Sequence, residues 1–468
     1  MKNNILIIGA GPAGLTCGYQ ISKSKKYNCK IVEITNTVGG MARSINLFDR
    51  IVDIGPHRFF SNDIRINKLW LEVIEDEYKM VNRLTRIYYK KKFFNYPLKP
   101  FNALFNLGVI TSVLCFFSYL KYLIFPKKDT SYFSNWITNR FGFKLYSIFF
   151  KSYTHKLWGI SPDKLSSEFA KQRIKDFSLG EAIKQLLKKN NNHKTLVDQF
   201  AYPLKGNGFV YEKMKNKFIE NGGQLEFGKK IISIEYSNNE FLVKYNDNEI
   251  EKFNYLVSSM PIDSFLTIFK NYKNNLPELK FRNTILVYSN LKTENIFQDQ
   301  WLYIQDENVK AGRITNFNNW VNSIKNEKKG TVLVNEYWTN DEDEMWSYDN
   351  VSLREICLND LISCGFVKDQ SDMVDYKVIR VPKCYPIYTG NYKNELLRIQ
   401  RFVDSIEGLQ LIGRYGSFKY NNQDHSILMG MLSSENIIEN KKNNLWDINT
   451  DYKYHESSTI SQTGLVSD

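Results

Sequence analysis

Residues 4–20 read "NILIIGAGPAGLTCGYQ", and the fold turns on how that stretch is read. Ile5 to Ile8 form a short apolar run of strand type, and Gly9, Gly11 and Gly14 follow as G-x-G-x-x-G where the pattern becomes helical. In a strand–turn–helix unit each glycine answers a different need. The first permits the tight turn, the second lets backbone approach a pyrophosphate, and the third lets helix and strand pack closely, with the helix N-terminus aimed at the phosphates. Ala13 sits in the same loop-to-helix turn. "CKIVEITN" (29–36) then supplies a second strand reaching Glu33, about twenty residues on, where a carboxylate can hold a ribose hydroxyl. Together they predict a dinucleotide-binding unit of α/β type.

A chain of 468 residues is too long for one simple core, so two or three substructures are expected. Aromatic residues make up 15%, enough for a sizeable core, which excludes wholesale disorder. The net charge of +13 implies affinity for something acidic: nucleic acid, an anionic membrane surface or phosphorylated small molecules. The lysines are scattered among asparagines rather than interleaved with aromatics in a dense block, so no nucleic-acid partner is expected. The six cysteines (Cys17, Cys29, Cys115, Cys357, Cys364, Cys384) contain no C-x-x-C pair, which predicts a reduced protein without a disulfide framework or metal site. The chain opens directly on the nucleotide strand, leaving no room for a signal peptide, and a cytoplasmic location is expected.

One stretch suggests a membrane. "LFNLGVITSVLCFFSYLKYLIF" (104–125) is bordered by Lys99, Lys127 and Lys128 and interrupted by Asn106, Ser112, Ser118 and Lys121. The first reading is a buried or partly buried helix. A helix lying in the membrane surface is the second, suited by the basic flanks, and a true span is the third.

"VGGMARS" (38–44) places Gly39, Gly40 and Met41 shortly after Glu33, followed by Arg43 and Ser44. This pairing resembles FAD proteins with a glutathione-reductase-like fold, and FAD becomes the expected cofactor, with bare backbone lying against it and Arg43 neutralising its pyrophosphate. Such domains are discontinuous. "FNYLVSSMPIDSF" (253–265) reads as a strand returning to the nucleotide domain, and "LQLIGRYGSFKYNNQDHSILMGMLSSENI" (409–437) as a strand and helix closing on the cofactor. The expected organisation is an FAD-binding domain from 1–99, 205–265 and 395–440, an inserted helical subdomain at 100–204, an antiparallel substrate-side sheet at 266–394, and a mobile tail at 441–468.

Four further segments narrow the chemistry: "VDIGPHRFF" (52–60), "FFKSYTHKLWGISPDKLSSEFAKQRI" (149–174), "AGRITNF" (311–317) and "IGRYGSFKYNNQD" (412–424). In that order they resemble UDP-galactopyranose mutases. The resemblance implies that His57, with Gly55 and Pro56, approaches the flavin, and that Tyr153 and Trp158 shape a sugar pocket, although both also fit ordinary core. It implies that Arg313 and Arg173 clamp a substrate diphosphate, with Arg173 also readable as a helix-surface charge. Tyr337 and Tyr420 would hydrogen-bond the same diphosphate. Gly413, Arg414, Asp424 and Ser426 would touch the cofactor. His155, His193 and His425 are read as structural or solvent-facing.

The chain departs from the mutase pattern at Phe60, where a second histidine is usual, at Asn422, a substrate-side position where an acid is usual, and in the long "LLKKNNNHKTLVDQF" segment (186–200). These departures leave the sugar and the nucleobase open. The implied reaction interconverts pyranose and furanose forms of an NDP-sugar for surface polysaccharide synthesis, with N5 of reduced FAD attacking the anomeric carbon and an external reductant such as NAD(P)H keeping the flavin reduced. The alternative is an FAD-dependent oxidoreductase acting on an amine, a porphyrinogen-like compound or a polyene.

Overall fold

The structure, a computed structural model, describes residues 3–96, 98, 100–167, 199–325, 329–388 and 390–449. Its first sheet is wholly parallel: β1 (Asn4–Ile8), β2 (Asn28–Glu33), β3 (Gln224–Phe227), β4 (Tyr255–Ser258) and β5 (Leu409–Leu411) lie in the order β5-β4-β1-β2-β3. β1 is central, and Ile5 to Ile8 are all buried, as an unalternating apolar run requires when both faces of a parallel strand are covered. Helix α1 (Pro12–Ser24) leaves β1 through Gly9, whose φ of +97° only glycine adopts readily. A Cβ on Gly14 would stand 2.0 Å from the Gly9 carbonyl oxygen, so the helix can close on the strand only because nothing is there. Helices Phe209–Glu220 and Gln423–Ile438 cover the same side of the sheet by packing on α1. The strands come from widely separated pieces of chain.

A second, seven-stranded sheet runs in the order Met373–Ile387, Lys280–Leu291, Thr331–Thr339, Arg313–Asn316, Trp301–Ile304, Thr85–Tyr89, Lys92–Asn95. It is antiparallel except where Trp301–Ile304 runs parallel to Thr85–Tyr89. That pairing corrects one expected boundary. Thr85–Tyr89 and Lys92–Asn95 fall within residues 1–99 yet extend the substrate-side sheet. A three-stranded antiparallel sheet, Ile231–Ser237, Glu240–Tyr245 and Ile250–Phe253, flanks the parallel one.

The apolar run at 104–125 is two helices, α2 (Pro100–Leu107) and α3 (Val109–Ile124), broken at Gly108 with φ +80°. Of the buried or partly buried reading only the second form holds: Cys115 alone is buried on α3, with Tyr119, Leu120 and Tyr122 half-buried, while Phe105 is 87% exposed and Ile110 80%. The span reading also fails. No helix among the described residues is long and apolar enough to cross a membrane, and 16 residues of α3 reach about 24 Å against a hydrocarbon core of about 30 Å. The inner side of α3 rests on α4 (Phe133–Tyr146), where Gly142, at φ +78°, lies so close that a Cβ would come within 2.6 Å of the Tyr119 backbone nitrogen. The segment expected to be helical ends in a strand, Gln199–Pro203, paired with Tyr78–Asn82.

The beginning of the expected mobile tail is packed. Leu445 and Trp446 are buried, and the Lys419 ammonium donates to the carbonyls of Trp446 and Ile448. Residues 450–468 and Arg173 lie outside the described residues.

Candidate functional site

A cavity of about 820 Å³ opens along the carboxyl ends of β1 and β2 and runs to the face of the seven-stranded sheet. That end of a doubly wound sheet is where strand ends leave loops free to bind. Gly9, Gly11, Ala13, Glu33, Gly40 and Met41 line one side. Gly11 and Gly40 face each other, and a Cβ placed on Gly11 would meet only the Gly40 Cα, 3.9 Å away, so the two loops form a trough with bare backbone walls. α1 begins there without a side-chain cap and without an acidic residue in its first turn, leaving its positive end to an anion from outside. Glu33 closes the trough at the end of β2. Its carboxylate accepts from the Ala10 amide at 2.9 Å and from the Thr35 amide and hydroxyl, each at 2.9 Å. Those bonds fix the carboxylate at the rim and leave it acceptor capacity for a hydroxyl. Bare backbone at Gly11 and Gly40, a helix N-terminus and a fixed carboxylate fit a dinucleotide.

The loop carrying His57 is built from below by Asp53, which is fully buried. Its carboxyl accepts from Ser44 (2.6 Å), Tyr202 (2.7 Å) and the Asn207 amide (3.1 Å), and its carbonyl accepts from Tyr288 (2.6 Å). Burial pushes the Asp53 pKa up to about 7 against the pull of those hydrogen bonds. Gly55 then turns the chain at φ +78°, and His57 Nδ1 lies 3.1 Å from the Gly55 carbonyl. A carbonyl only accepts, so Nδ1 carries the proton and Nε2 keeps the lone pair. Burial first, then the neighbouring Arg414, push the His57 pKa down to about 3, with Arg313 and Arg43 adding to the effect. The ring is neutral over the working range of pH.

Arg313 reaches the cavity from the seven-stranded sheet, paired with Glu336 through Nε–Oε1 and Nη2–Oε2, both 2.5 Å. Burial works against its charge, and the Glu336 carboxylate more than offsets this, holding the guanidinium well above its ordinary range. The bidentate pair occupies Nε and Nη2, so Nη1 is the edge available to a ligand. Tyr153 lines the wall, its ring edge-on to Tyr303 (5.4 Å) and Trp338 (5.7 Å). Tyr420 stacks on Tyr385 at 5.2 Å, with Arg414 over its ring at 4.9 Å. Asn422, Asp424 and Ser426, at the start of helix Gln423–Ile438, complete the rim with Gly413.

Some expected site residues stand elsewhere. Tyr337 points away from the cavity into the core behind the sheet, beside Asn335 (3.4 Å), because Glu336 and Trp338 take the cavity face of the same strand. Trp158 is buried in the core next to the cavity; one face of its helix presents Tyr153 and Leu157, four residues apart, and Trp158 falls off that face. Arg43 donates to the Gly40 carbonyl at 2.7 Å and braces the trough from behind rather than lining it. Arg414 lines the cavity but spends its donors on the Asn421 and Cys384 carbonyls. Gly14 lies under the turn, where it permits packing. The wall also holds residues that sequence reasoning passed over: Arg58, Arg83, Glu336, Trp338 and Tyr385. Arg58 follows His57 directly and Glu336 precedes Tyr337, so adjacency was the available signal; Arg83 carried none.

Residues 7–73 match the family model of an NAD(P)-binding Rossmann-like domain. A solved structure of reduced UDP-galactopyranose mutase superposes with a TM-score of 0.84, at 20% identity and covering 98% of each chain. The fold is that of a UDP-galactopyranose mutase. A curated probable UDP-galactopyranose mutase of Klebsiella pneumoniae is 28% identical over 183 residues, 36% of this chain and less than half, 45%, of that relative. A putative protoporphyrinogen oxidase from Exiguobacterium sp. 255-15 shares the scaffold less closely, with a TM-score of 0.73 at 14% identity over 94% of this chain and 100% of that one. The chain is therefore mutase-like in fold, with neighbours among the oxidases.

Proposed function

We propose that the chain is an FAD-dependent mutase that interconverts pyranose and furanose forms of an NDP-sugar, acting in surface polysaccharide synthesis. The supporting observation is the continuity of one cavity. It begins at the dinucleotide trough, passes His57, and ends on a wall of cations and phenols: Arg58, Arg83, Arg313, Tyr153, Tyr385 and Tyr420. Such a wall of charge and hydroxyl groups suits a diphosphate and sugar hydroxyls better than an apolar substrate, which would desolvate it without compensation.

Reduced FAD, when bound in the trough, supplies a nucleophile for the anomeric carbon with no net electron transfer. The chain's own residues position and stabilise. Arg313, through Nη1, stabilises charge on the departing diphosphate, and its pairing with Glu336 keeps it from swinging away. Tyr153 and Tyr420 orient the sugar. Neutral His57, lining the cavity, would offer Nε2 as an acceptor to the group held in the trough. Arg173 shares the diphosphate in this reading, and NAD(P)H is the external reductant.

The test is turnover by reduced, FAD-loaded protein on a panel of nucleotide sugars without oxygen, with oxygen uptake by the oxidised protein measured in parallel under air on the same panel and on amine, porphyrinogen-like and polyene compounds. An isomer of unchanged mass, formed in large excess over reductant consumed, supports the reading. Oxidant consumed one-for-one with substrate, and no isomer, overturns it in favour of the oxidoreductase alternative that the protoporphyrinogen oxidase neighbour represents.

A further inference from the structure

The outer face of α2 and α3 is apolar and uncovered. Phe105, Val109, Ile110, Phe117, Ile124 and Phe125 are each 62–87% exposed. Along α3, Ile110, Phe117 and Ile124 recur every seven positions, with the half-exposed Val113 and Leu114 between the first two, so they share the side opposite the contact with α4. The segment of chain that carries this face is itself basic. From Tyr78 to Pro162 there are fourteen lysines and arginines and one acid, Asp129, an excess of 13 that equals the net charge of the whole chain, +13. Lys90, Lys91 and Lys92 are exposed at a hairpin turn tied to α2 by a 2.7 Å bond from the Lys92 ammonium to the Asn106 carbonyl. Lys121 lies one turn from Phe117 and Ile124, and Lys127 and Lys128 follow the helix, all three exposed. Cations therefore stand at both ends of the apolar face.

We propose that this face docks the protein on an anionic lipid bilayer, with α3 lying in the interfacial plane, its apolar side chains at the acyl boundary and the lysines among the headgroup phosphates. This goes beyond the proposed reaction and does not depend on it. A second copy of the chain fits the face poorly. A two-fold contact would lay the same lysine clusters against one another, with Asp129 and Asp306, whose carboxylate holds the Lys90 amide, as too few acids to offset them.

The test is co-sedimentation of the full FAD-loaded chain with phosphatidylcholine vesicles, with and without phosphatidylglycerol, at low and high salt. Binding is expected only with phosphatidylglycerol, falling steeply with salt. K121E/K127E/K128E should lower partitioning by at least about a hundredfold, since each lysine near an anionic surface is worth roughly fivefold. I110D/F117D should lower it at least about tenfold by removing the inserted side chains. Because these side chains are exposed, both variants should keep the parent melting curve; I110S/F117S replaces the aspartate pair if that pair unfolds. Wild-type protein that stays in solution with phosphatidylglycerol vesicles overturns the proposal. So does a wild-type dimer in light scattering that I110D/F117D splits without any vesicle binding, which would give the face to a second copy.

Discussion

Gly11 and Gly14, three residues apart in one motif, should fail in opposite ways. At Gly11 the φ is −78°, open to any residue, and an added Cβ meets nothing closer than the Gly40 Cα at 3.9 Å. Gly11→Ala should therefore leave the apo protein as stable as the parent, or more stable by up to about 1 kcal/mol through a less flexible unfolded chain. The same methyl projects into the trough and should lower FAD retention. At Gly14 the Cβ would lie 2.0 Å from the Gly9 oxygen and 3.2 Å from its carbonyl carbon, and backbone atoms cannot rotate aside. Alanine is the better helix former by about 1 kcal/mol, but α1 must lift off β1 to admit it, so Gly14→Ala should cost roughly 2–4 kcal/mol net. Urea unfolding of the apo forms and flavin content after reconstitution separate the two. Loss of stability in Gly11→Ala, or a Gly14→Ala protein that unfolds like the parent, would refute the division of labour.

The pair between Arg313 and Glu336 gives a second prediction. Arg313→Ala leaves a buried carboxylate uncompensated and should cost about 3–5 kcal/mol of stability, while Arg313→Met with Glu336→Met restores most of it and still loses about 2–4 kcal/mol of transition-state stabilisation in turnover. If the double variant turns over normally, Arg313 has no part in the chemistry. His57 gives a third. Its folded pKa is depressed from 6.5 to about 3, so between those values the unfolded chain binds the extra proton and stability falls as pH falls. The ring opens partly onto the cavity, so solvent relieves some of the cost, leaving roughly 2–4 kcal/mol across the window. Apo His57→Asn should flatten that part of the stability profile measured by urea titration at stepped pH, and an unchanged slope would remove His57 as its source.

What could be read in the sequence was whatever backbone geometry forces on residue type. Gly9 and Gly55 are fixed by positive φ, Gly14 by a carbonyl 2.0 Å from its missing Cβ, and Glu33 by the end of β2. These constraints are local, so they leave a motif. The face on which Tyr337 lies is not local. Every residue of Thr331–Thr339 is buried, so the alternation that would assign Glu336 and Trp338 to the cavity and Tyr337 to the core is absent from the sequence. The run at 104–125 was ambiguous for a related reason, because apolar residues at helical spacing describe a core helix and an uncovered one equally well. Only the position of α4 decides which side is covered.

The proposed catalytic and docking surfaces can coexist on this frame. The cavity is assembled from strands of both sheets and from the His57 loop, held by Asp53 and by the pair of Arg313 with Glu336. The uncovered face belongs to α2 and α3, which touch this frame through the Lys92–Asn95 strand and through α4. Between them the aromatic core around Phe94, Phe141 and Phe149 is continuous. Substitutions at Ile110 or Phe117 remove no side chain from that core, and substitutions at Arg313 alter nothing exposed on α3. The effects of the two sets should therefore add without coupling. A quadruple variant, Ile110→Asp, Phe117→Asp, Arg313→Met and Glu336→Met, should show the unfolding free energy expected from summing its two halves to within about 0.5 kcal/mol. A larger departure would mean that the outer helices carry strain into the site, and the docking face would then have to be considered together with turnover.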